Sequence, residues 1–354
     1  MRILHVITSL GTGGAERLMV DLLPRLRSGN KNQVDLLVFD GTETPFMNEV
    51  KSRGIKVFNL SIGGNVYNPI NAFRMVKCFA QYDIIHTHNT ACQLYAPIAR
   101  MISFTRKPLV TTEHSSNNRR RSKWWCKPID KWMYNRYAAV ICIADKTRKN
   151  LEDYIGKKDN IYTILNGVDT QRFFRPIKDI SGKDSFVISM VAGLRKEKDH
   201  ETMLKAMTHL PDSYRLQLVG SGEREQRLKE FCKDLGLDDR VTFMGVRLDV
   251  PEILESSDII VLSSHWEGLS LSSIEGMSSG RPFIASDVDG LHEMVNGAGE
   301  LFPHGDDKEL ARKIQWLCEH PDEYRKVAER CQKKASQYDI SVMVDKYNKL
   351  YHSL

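Results

Sequence analysis

His265-Trp266-Glu267-Gly268-Leu269-Ser270-Leu271-Ser272-Ser273-Ile274-Glu275-Gly276-Met277 follows the apolar run Ile259–Ser263 and passes from a loop into a segment of helical period. A β-branched run that ends in a polar loop and restarts as a helix is half of a βαβ unit. In open α/β sheets ligands bind outside the carboxyl ends of the strands, so this loop is where chemistry is expected. Glu267 falls in the loop and Glu275 about one turn into the helix. A carboxylate near a helix start is placed to accept two hydrogen bonds from a diol such as ribose, whereas a loop carboxylate can face a sugar ring. The N–H groups of Leu269, Ser270 and Leu271, at the helix entrance, point to a phosphate. Carboxylates are common on surface helices, so the pair alone does not decide a function.

The same alternation extends in both directions. Strands are expected at Arg2–Ser9, Gln33–Asp40, Ile55–Asn59, Asp83–Thr87, Leu109–Glu113, Ala138–Ala144 and Ile161–Leu165. The pattern then restarts at Phe186–Ala192, Arg215–Val219, Val241–Met244, Ile259–Ser263 and Pro282–Ser286, with helices near Lys198–His209, Glu223–Leu235, Leu271–Ser279 and Asp307–Ser336. Between the halves, Asn166-Gly167-Val168-Asp169 reads as a turn. With 354 residues, too many for one ordinary core, the chain is expected to form two doubly wound α/β domains. Their expected bounds are 1–167 and 168–336, with a terminal helix over 337–354.

Apolar residues at 41% and charged residues at 27% exclude disordered and low-complexity classes. No apolar run reaches the length of a spanning helix, and Met1-Arg2-Ile3-Leu4-His5-Val6-Ile7 is too short for a signal peptide. The seven cysteines are scattered without a Cys-x-x-Cys, which points to reduced cytosol rather than a disulfide framework or zinc site. Charge is uneven: the first 166 residues carry 25 Lys and Arg against 13 Asp and Glu. A basic half attracts phosphate in nucleic acid or at an anionic membrane, and charge alone does not choose.

Three further motifs matter. Ser9-Leu10-Gly11-Thr12-Gly13-Gly14-Ala15-Glu16 runs from the first strand into a helix, where Gly13 and Gly14 permit backbone approach to an anion. A dinucleotide fingerprint is not met, because Glu16 stands where a small residue is needed. The alternative reading is that the glycines only turn the chain. His86-Thr87-His88 invites a metal reading, but the two histidines are placed on opposite faces of a strand end with no third ligand evident. Asp287-Val288-Asp289 imitates a metal-binding Asp-x-Asp, but that metal reading is not favoured. No metal or other cofactor is expected.

The Glu-x7-Glu spacing, with Gly280-Arg281-Pro282 and Ser286-Asp287-Val288-Asp289-Gly290 after it, resembles the donor-site signature of the retaining family 4 glycosyltransferases of GT-B fold. Gly13-Gly14-Ala15-Glu16, Asn166-Gly167-Val168-Asp169, Lys198-Asp199-His200-Glu201-Thr202, Val219-Gly220-Ser221-Gly222 and Phe243-Met244-Gly245 occur in the order that family shows, so the resemblance spans nearly the whole chain. It implies two Rossmann-like domains facing across a cleft, acceptor side first and nucleotide-sugar side second, with the terminal helix crossing back to the first. Lys198, with Arg195 in place of the family's usual Arg, would neutralise the donor diphosphate. Glu275 would hold the ribose, while Glu267 and the adjoining Gly268 would meet the transferred sugar. His114, at the end of a strand, matches the position where a His contacts that sugar near the reacting carbon.

The resemblance thus implies a retaining, metal-independent hexosyltransferase that uses a nucleoside-diphosphate sugar, UDP-sugar favoured, and does not engage nucleic acid. A nucleotide-sugar 2-epimerase, an NAD-dependent dehydrogenase and a noncatalytic sugar-nucleotide binder are the alternatives. The segment from Arg119 to Arg136 holds seven basic residues and one acid. Arg119, Arg120, Arg121, Lys123, Trp124 and Trp125 are read as contacts to an acceptor phosphate or an anionic membrane. In helical register Ile129, Trp132, Met133 and Tyr137 share one face, and Lys127 and Lys131 another. The expected acceptor is a glycan on polyprenyl diphosphate in surface polysaccharide assembly, met by a cytoplasmic enzyme peripheral to the inner face of the cell membrane.

Overall fold

The computed structural model describes residues 1–11, 13–29, 32–114, 121 and 123–354. The chain divides into two compact units, Met1–Gly167 with Ile340–Leu354, and Val168–Asp339. In the first, strands β1 (Arg2–Ile7), β2 (Gln33–Asp40), β3 (Lys56–Ser61), β4 (Ile84–Thr87), β5 (Leu109–Glu113), β6 (Ala139–Cys142) and β7 (Ile161–Thr163) form one parallel sheet in the order β3-β2-β1-β4-β5-β6-β7. The reversal between β1 and β4 makes it doubly wound, and polar loops collect at such a switch point.

Side-chain alternation sends the two faces of this sheet into separate cores. Ile3, Ile7, Leu36 and Val110 pack with Leu18 and Leu22 of helix Gly14–Gly29 and with Met343 and Tyr347 of the terminal helix Ile340–His352. Leu4, Val6, Leu37 and Val140 pack on the other face with Ala96 and Ala99 of helix Thr90–Ile102 and with Met133. Both faces being covered, the strands read as near-continuous apolar runs.

In the second unit β8 (Phe186–Val191), β9 (Tyr214–Val219), β10 (Val241–Gly245), β11 (Ile259–Leu262), β12 (Phe283–Ser286) and β13 (Glu300–Phe302) form a six-stranded sheet in the order β10-β9-β8-β11-β12-β13. Every pairing is parallel, as the expected α/β class requires. The edge strand β13 is not anticipated from sequence, because three residues next to Gly297 and Gly299 carry no readable period. The single helix expected over Asp307–Ser336 is two, Asp307–Glu319 and Pro321–Ala335. Pro321 lacks an N–H and biases His320 away from the helical region, which ends the first helix there. Short helices at Val250–Ser256 and His292–Val295 were likewise too brief to show a period.

A buried carboxylate anchors the central strand of this unit. Asp258, fully buried just before β11, accepts hydrogen bonds from the N–H of Val187 at 2.7 Å and from Lys183 Nζ at 2.6 Å, with Lys178 Nζ 2.8 Å away. Asp258→Ala is expected to cost the second unit about 2–4 kcal/mol, less than a fully buried broken pair because both lysines retain partial exposure. Urea denaturation followed at the tryptophans of this unit, Trp266 and Trp316, measures it; a loss below 0.5 kcal/mol, by order of magnitude, would contradict the assignment.

Candidate functional site

Each unit carries a cavity at the carboxyl end of its own sheet. In the second unit a cavity of about 280 Å3 is lined by Ala192, Gly193, Lys198, Gly220, Arg247 and Ser272, among others. These residues follow β8, β9, β10 and β11, so four strand ends build one wall.

Lys198 is presented by a short 3-10 turn, Lys196–Lys198, that ends at Asp199 with φ +49°, a left-handed conformation that Asp tolerates better than most residues. The Asp199 carboxylate caps helix His200–His209, accepting from Thr202 Oγ1 at 2.6 Å. Its carbonyl accepts a hydrogen bond from Ser263 Oγ at 2.8 Å, which ties the turn to the end of β11. From that turn Lys198 Nζ reaches Glu267 Oε1 at 2.5 Å, and Ser264 Oγ donates to the same oxygen at 2.7 Å. The motif loop is clasped from both sides. The N–H of His265 donates to Glu197 O at 2.8 Å, and that of Glu267 to Asp289 O at 3.2 Å. A Cβ on Gly290, whose φ is +84°, would lie 2.4 Å from Glu267 O, so only glycine lets the loops approach this closely.

Helix Leu271–Ser278 starts beyond this clasp with Ser270 as its cap, accepting from the N–H of Ser273 at 3.3 Å. Ser272 faces the cavity, while Glu275 lies a turn further on and is not among the lining residues. Leu269 is partly buried beside Gly268, and Leu271 is the first helical residue. Arg195 is exposed, with Nε 3.6 Å from where a Cβ on Gly193 would sit, so it lies over the cavity wall. Arg247, ion-paired with Asp249 at 2.6 Å, is a lining cation that sequence reasoning missed. Its signal was available: it stands two residues past β10, in a strand-end loop.

The cavity of the first unit, about 300 Å3, is lined by Thr8, Tyr67, Asn89, Gln93, Glu113 and His114, among others. Glu113 is buried and accepts from Gln93 Nε2 at 2.6 Å, from Tyr134 Oη and from Arg121 at 3.2 Å. Arg121 is therefore turned inward to a carboxylate, correcting the expectation that it joins a free basic surface. Arg119 and Arg120 lie outside the described residues. Gly14 begins helix Gly14–Gly29, and a Cβ on the preceding Gly13 would meet Glu16 Oε2, so the chain's own Glu16 carboxylate stands beside that loop.

The shared apolar face expected after Lys123 divides. Met133 and Tyr137 are buried and Trp132 packs against the core, because helix Cys126–Tyr134 must cover the sheet. Trp124, Trp125 and Ile129 remain outside at 87%, 51% and 45% exposure, with Lys123 Nζ 5.6 Å from the Trp125 ring. No helix among the described residues is long and apolar enough to cross a membrane.

His86 and His88 do not point to opposite faces. Residues two apart on a strand share a face, and their rings stack at 4.3 Å. His5, paired with His86 across β1 and β4, joins them. Burial pushes the His5 imidazole down to about 3 and the His114 imidazole down to about 4, and holds His86 and His88 well below the usual histidine range. Among the described residues two trios bring possible ligand atoms within 4.8 Å of one another, His5, His86 and His88, and Asp199, His265 and His304. In the second, the Asp199 carboxylate is committed to capping and His265 Nδ1 lies 2.5 Å from His304 Nε2.

Residues 171–337 match the family model described as Glycosyl transferases group 1, and residues 12–172 that described as Glycosyltransferase Family 4. The chain is 29% identical over 265 residues to the Escherichia coli UDP-Gal:α-D-GlcNAc-diphosphoundecaprenol α-1,3-galactosyltransferase, covering 69% of this chain and 67% of that enzyme. It is 25% identical to a Campylobacter jejuni α-1,4-N-acetyl-D-galactosaminyltransferase named for an undecaprenol-diphosphate-linked glycan, covering 99% and 98%. Anabaena HepE, solved in complex with UDP, superposes with a TM-score of 0.85 at 23% identity over all of both chains, which establishes the GT-B fold of two parallel α/β sheets.

Four histidines held neutral have a measurable consequence. In the unfolded chain each takes a proton near pH 6.5, whereas the folded forms of His5 and His114 resist until about 3 and about 4. The unfolded state then binds more protons below pH 6.5, so stability of the first unit is full above that pH and is lost as pH falls toward 4. By pH 5 each such histidine is expected to subtract on the order of 1–2 kcal/mol. Urea midpoints at pH 7.5 and pH 5 test this, and equal midpoints would contradict it.

Proposed function

Because the chain belongs to the glycosyltransferases of group 1 and family 4, we propose that it moves a sugar, with retention, from a UDP-sugar to a hydroxyl of a glycan carried on a lipid diphosphate in surface polysaccharide biosynthesis. The observation that carries this reading is the Lys198–Glu267 pair beside the cavity of the second unit. A cation and a carboxylate held 2.5 Å apart offer one group to the diphosphate and one to the sugar at the bond between them. Departure of the sugar places charge on the diphosphate, and a lysine fixed by the Ser263-tied turn stabilises that charge without reorganising. Arg195 and Arg247 add positive charge around the same strand ends, Ser272 and the N–H groups at the start of helix Leu271–Ser278 add donors, and Glu275 holds the ribose. In this reading no metal is required, and the acceptor proton leaves on the departing phosphate.

The first unit takes the acceptor, with His114 as its sugar-facing group. The lipid-linked acceptors and the UDP in the names of the similar proteins support the substrate classes. So do the exposed apolar residues of the first unit: Tyr67, which lines the cavity, and Ile62, Ile70, Phe73, Trp124, Trp125 and Ile129 lie in segments following β3 and β5. With Lys123, Lys127 and Lys131 close by in sequence, these residues suit an anionic lipid surface, where each basic residue contributes on the order of 1 kcal/mol.

Among UDP-, GDP-, ADP- and dTDP-sugars, a UDP-sugar should raise the melting temperature most. Lys198→Ala should lower kcat on the order of 100-fold, with a smaller change in nucleotide affinity and no response of the wild type to EDTA. Equal losses in both quantities would remove the transition-state role. The protein should also co-sediment with anionic vesicles more than with neutral ones, and Lys123→Ser, Trp124→Ser and Trp125→Ser together should abolish that preference. Binding indifferent to lipid charge, or to these substitutions, would sink the membrane reading.

A further inference from the structure

The side chains of His5, His88 and His114 form a continuous imidazole chain beneath the cavity of the first unit. His5 Nδ1 lies 2.8 Å from His88 Nε2, and His88 Nδ1 lies 3.0 Å from His114 Nε2. The outer atoms, His5 Nε2 and His114 Nδ1, are buried and have no hydrogen-bond partner among the described residues. His114 lines the cavity. His86 flanks the chain without joining it. It stacks on His88 at 4.3 Å and lies tilted against His5 at 4.9 Å, while its own nitrogens are taken by Tyr351 Oη at 2.5 Å and Thr112 Oγ1 at 2.8 Å.

Proton counting constrains this chain. Three neutral imidazoles own three ring protons, and each of the two internal N···N contacts takes one of them. The third must sit on an outer atom. Only two arrangements exist: His114 Nδ1 carries the proton and His5 Nε2 is bare, or the reverse. They interconvert when one proton crosses each link while the outer nitrogen at one end releases a proton and the outer nitrogen at the other end takes one up, with no change in net charge. They differ in cost, because a buried donor without a partner is rarer, and so more costly, than an under-used acceptor. At the inner end, His5 Nε2 has no partner, so it is left as the bare acceptor. His5 then donates to His88, His88 donates to His114, and the His114 Nδ1 proton is left for an oxygen of whatever occupies the cavity.

We propose that His5 and His88 are positioning residues that hold His114 as the Nδ1–H tautomer, making it a hydrogen-bond donor to a ligand oxygen. A metal reading of the same cluster fits less well, since His86 and His88 each have both nitrogens engaged and only His5 Nε2 is unengaged among the three. The consequence for turnover rests on His114 being the sugar-facing group, as proposed above; the tautomer itself does not.

The test is long-range 15N–1H correlation on the full chain labelled at histidine, beside steady-state kinetics. In the wild type the His114 Nδ1 should show the protonated shift and Nε2 the bare one. His88→Gln, whose amide can accept from His5 and donate to His114, should keep that tautomer and leave kcat within about 3-fold. His88→Leu should give mixed tautomers and lower kcat about 10-fold or more with KM little changed. If His88→Leu does not fold, His5→Phe reads the same loss of bias from the far end. A wild-type His114 protonated on Nε2, or as an even mixture, overturns the proposal, as does one equivalent of zinc bound by the wild type and lost in His88→Gln. Unchanged kcat with a shifted tautomer overturns the positioning role. The expected tautomer in a protein that transfers no sugar would instead leave the chain's assignment standing and remove the glycosyl-transfer reading.

Discussion

Parallel strands cannot be joined by tight turns, so every connection in both sheets of this protein crosses a face of the sheet as a helix or a longer loop. Two consequences follow. Both faces of each sheet are buried, which leaves almost no polar side chain a place within them. All strands of a sheet also end on the same side, so the loops that leave them bring polar groups from distant parts of the chain together. Lys198 and Glu267, 69 residues apart, meet there. So do Gln93 and Glu113, and His88 and His114.

Where polar groups enter the sheet itself, they come in sets that satisfy one another. Asp258 sits fully buried at the start of β11 with two lysines and a backbone N–H as partners. The polar seam of β1, β4 and β5 obeys the same rule: His5, His86, His88, Thr112 and His114 alternate onto the face covered by the terminal helix, whose Tyr347 and Tyr351 hydroxyls complete it. Such networks are costly when partly satisfied. The two open ends of the imidazole chain are therefore the informative atoms: one is enclosed in the protein interior, the other belongs to a cavity-lining residue.

The two cavities differ in character. The one in the second unit is a cationic strand-end pocket whose loops are fixed by a close backbone approach at Gly290 and by the Ser263 hydroxyl donating to Asp199 O. A fixed charge needs little rearrangement as charge develops on a leaving group. The one in the first unit is neutral at its histidines and has an anionic Glu113 neutralised by Arg121, with aromatic residues exposed nearby.

Strand positions, the α/β class and the motif loop were legible because buried parallel strands must be apolar and short, and helices between them must show a period. Glu267 was singled out as a residue of a strand-end loop, whereas Lys198 and His114 were singled out by the resemblance to the family. The break at Pro321 and the edge strand β13 were not legible, since a three-residue strand has no period and the helix pattern continues on both sides of the proline. Nor did the sequence determine the environment of a side chain. Arg121 reads as one of a basic run until Glu113 is seen beside it, and Met133 and Tyr137 read like Ile129 until the sheet takes two of the three. His5, His86 and His88 are three polar letters in two distant strands. Only the register of β1 against β4 stacks their rings, because pairing across a sheet is a long-range contact that no local period encodes.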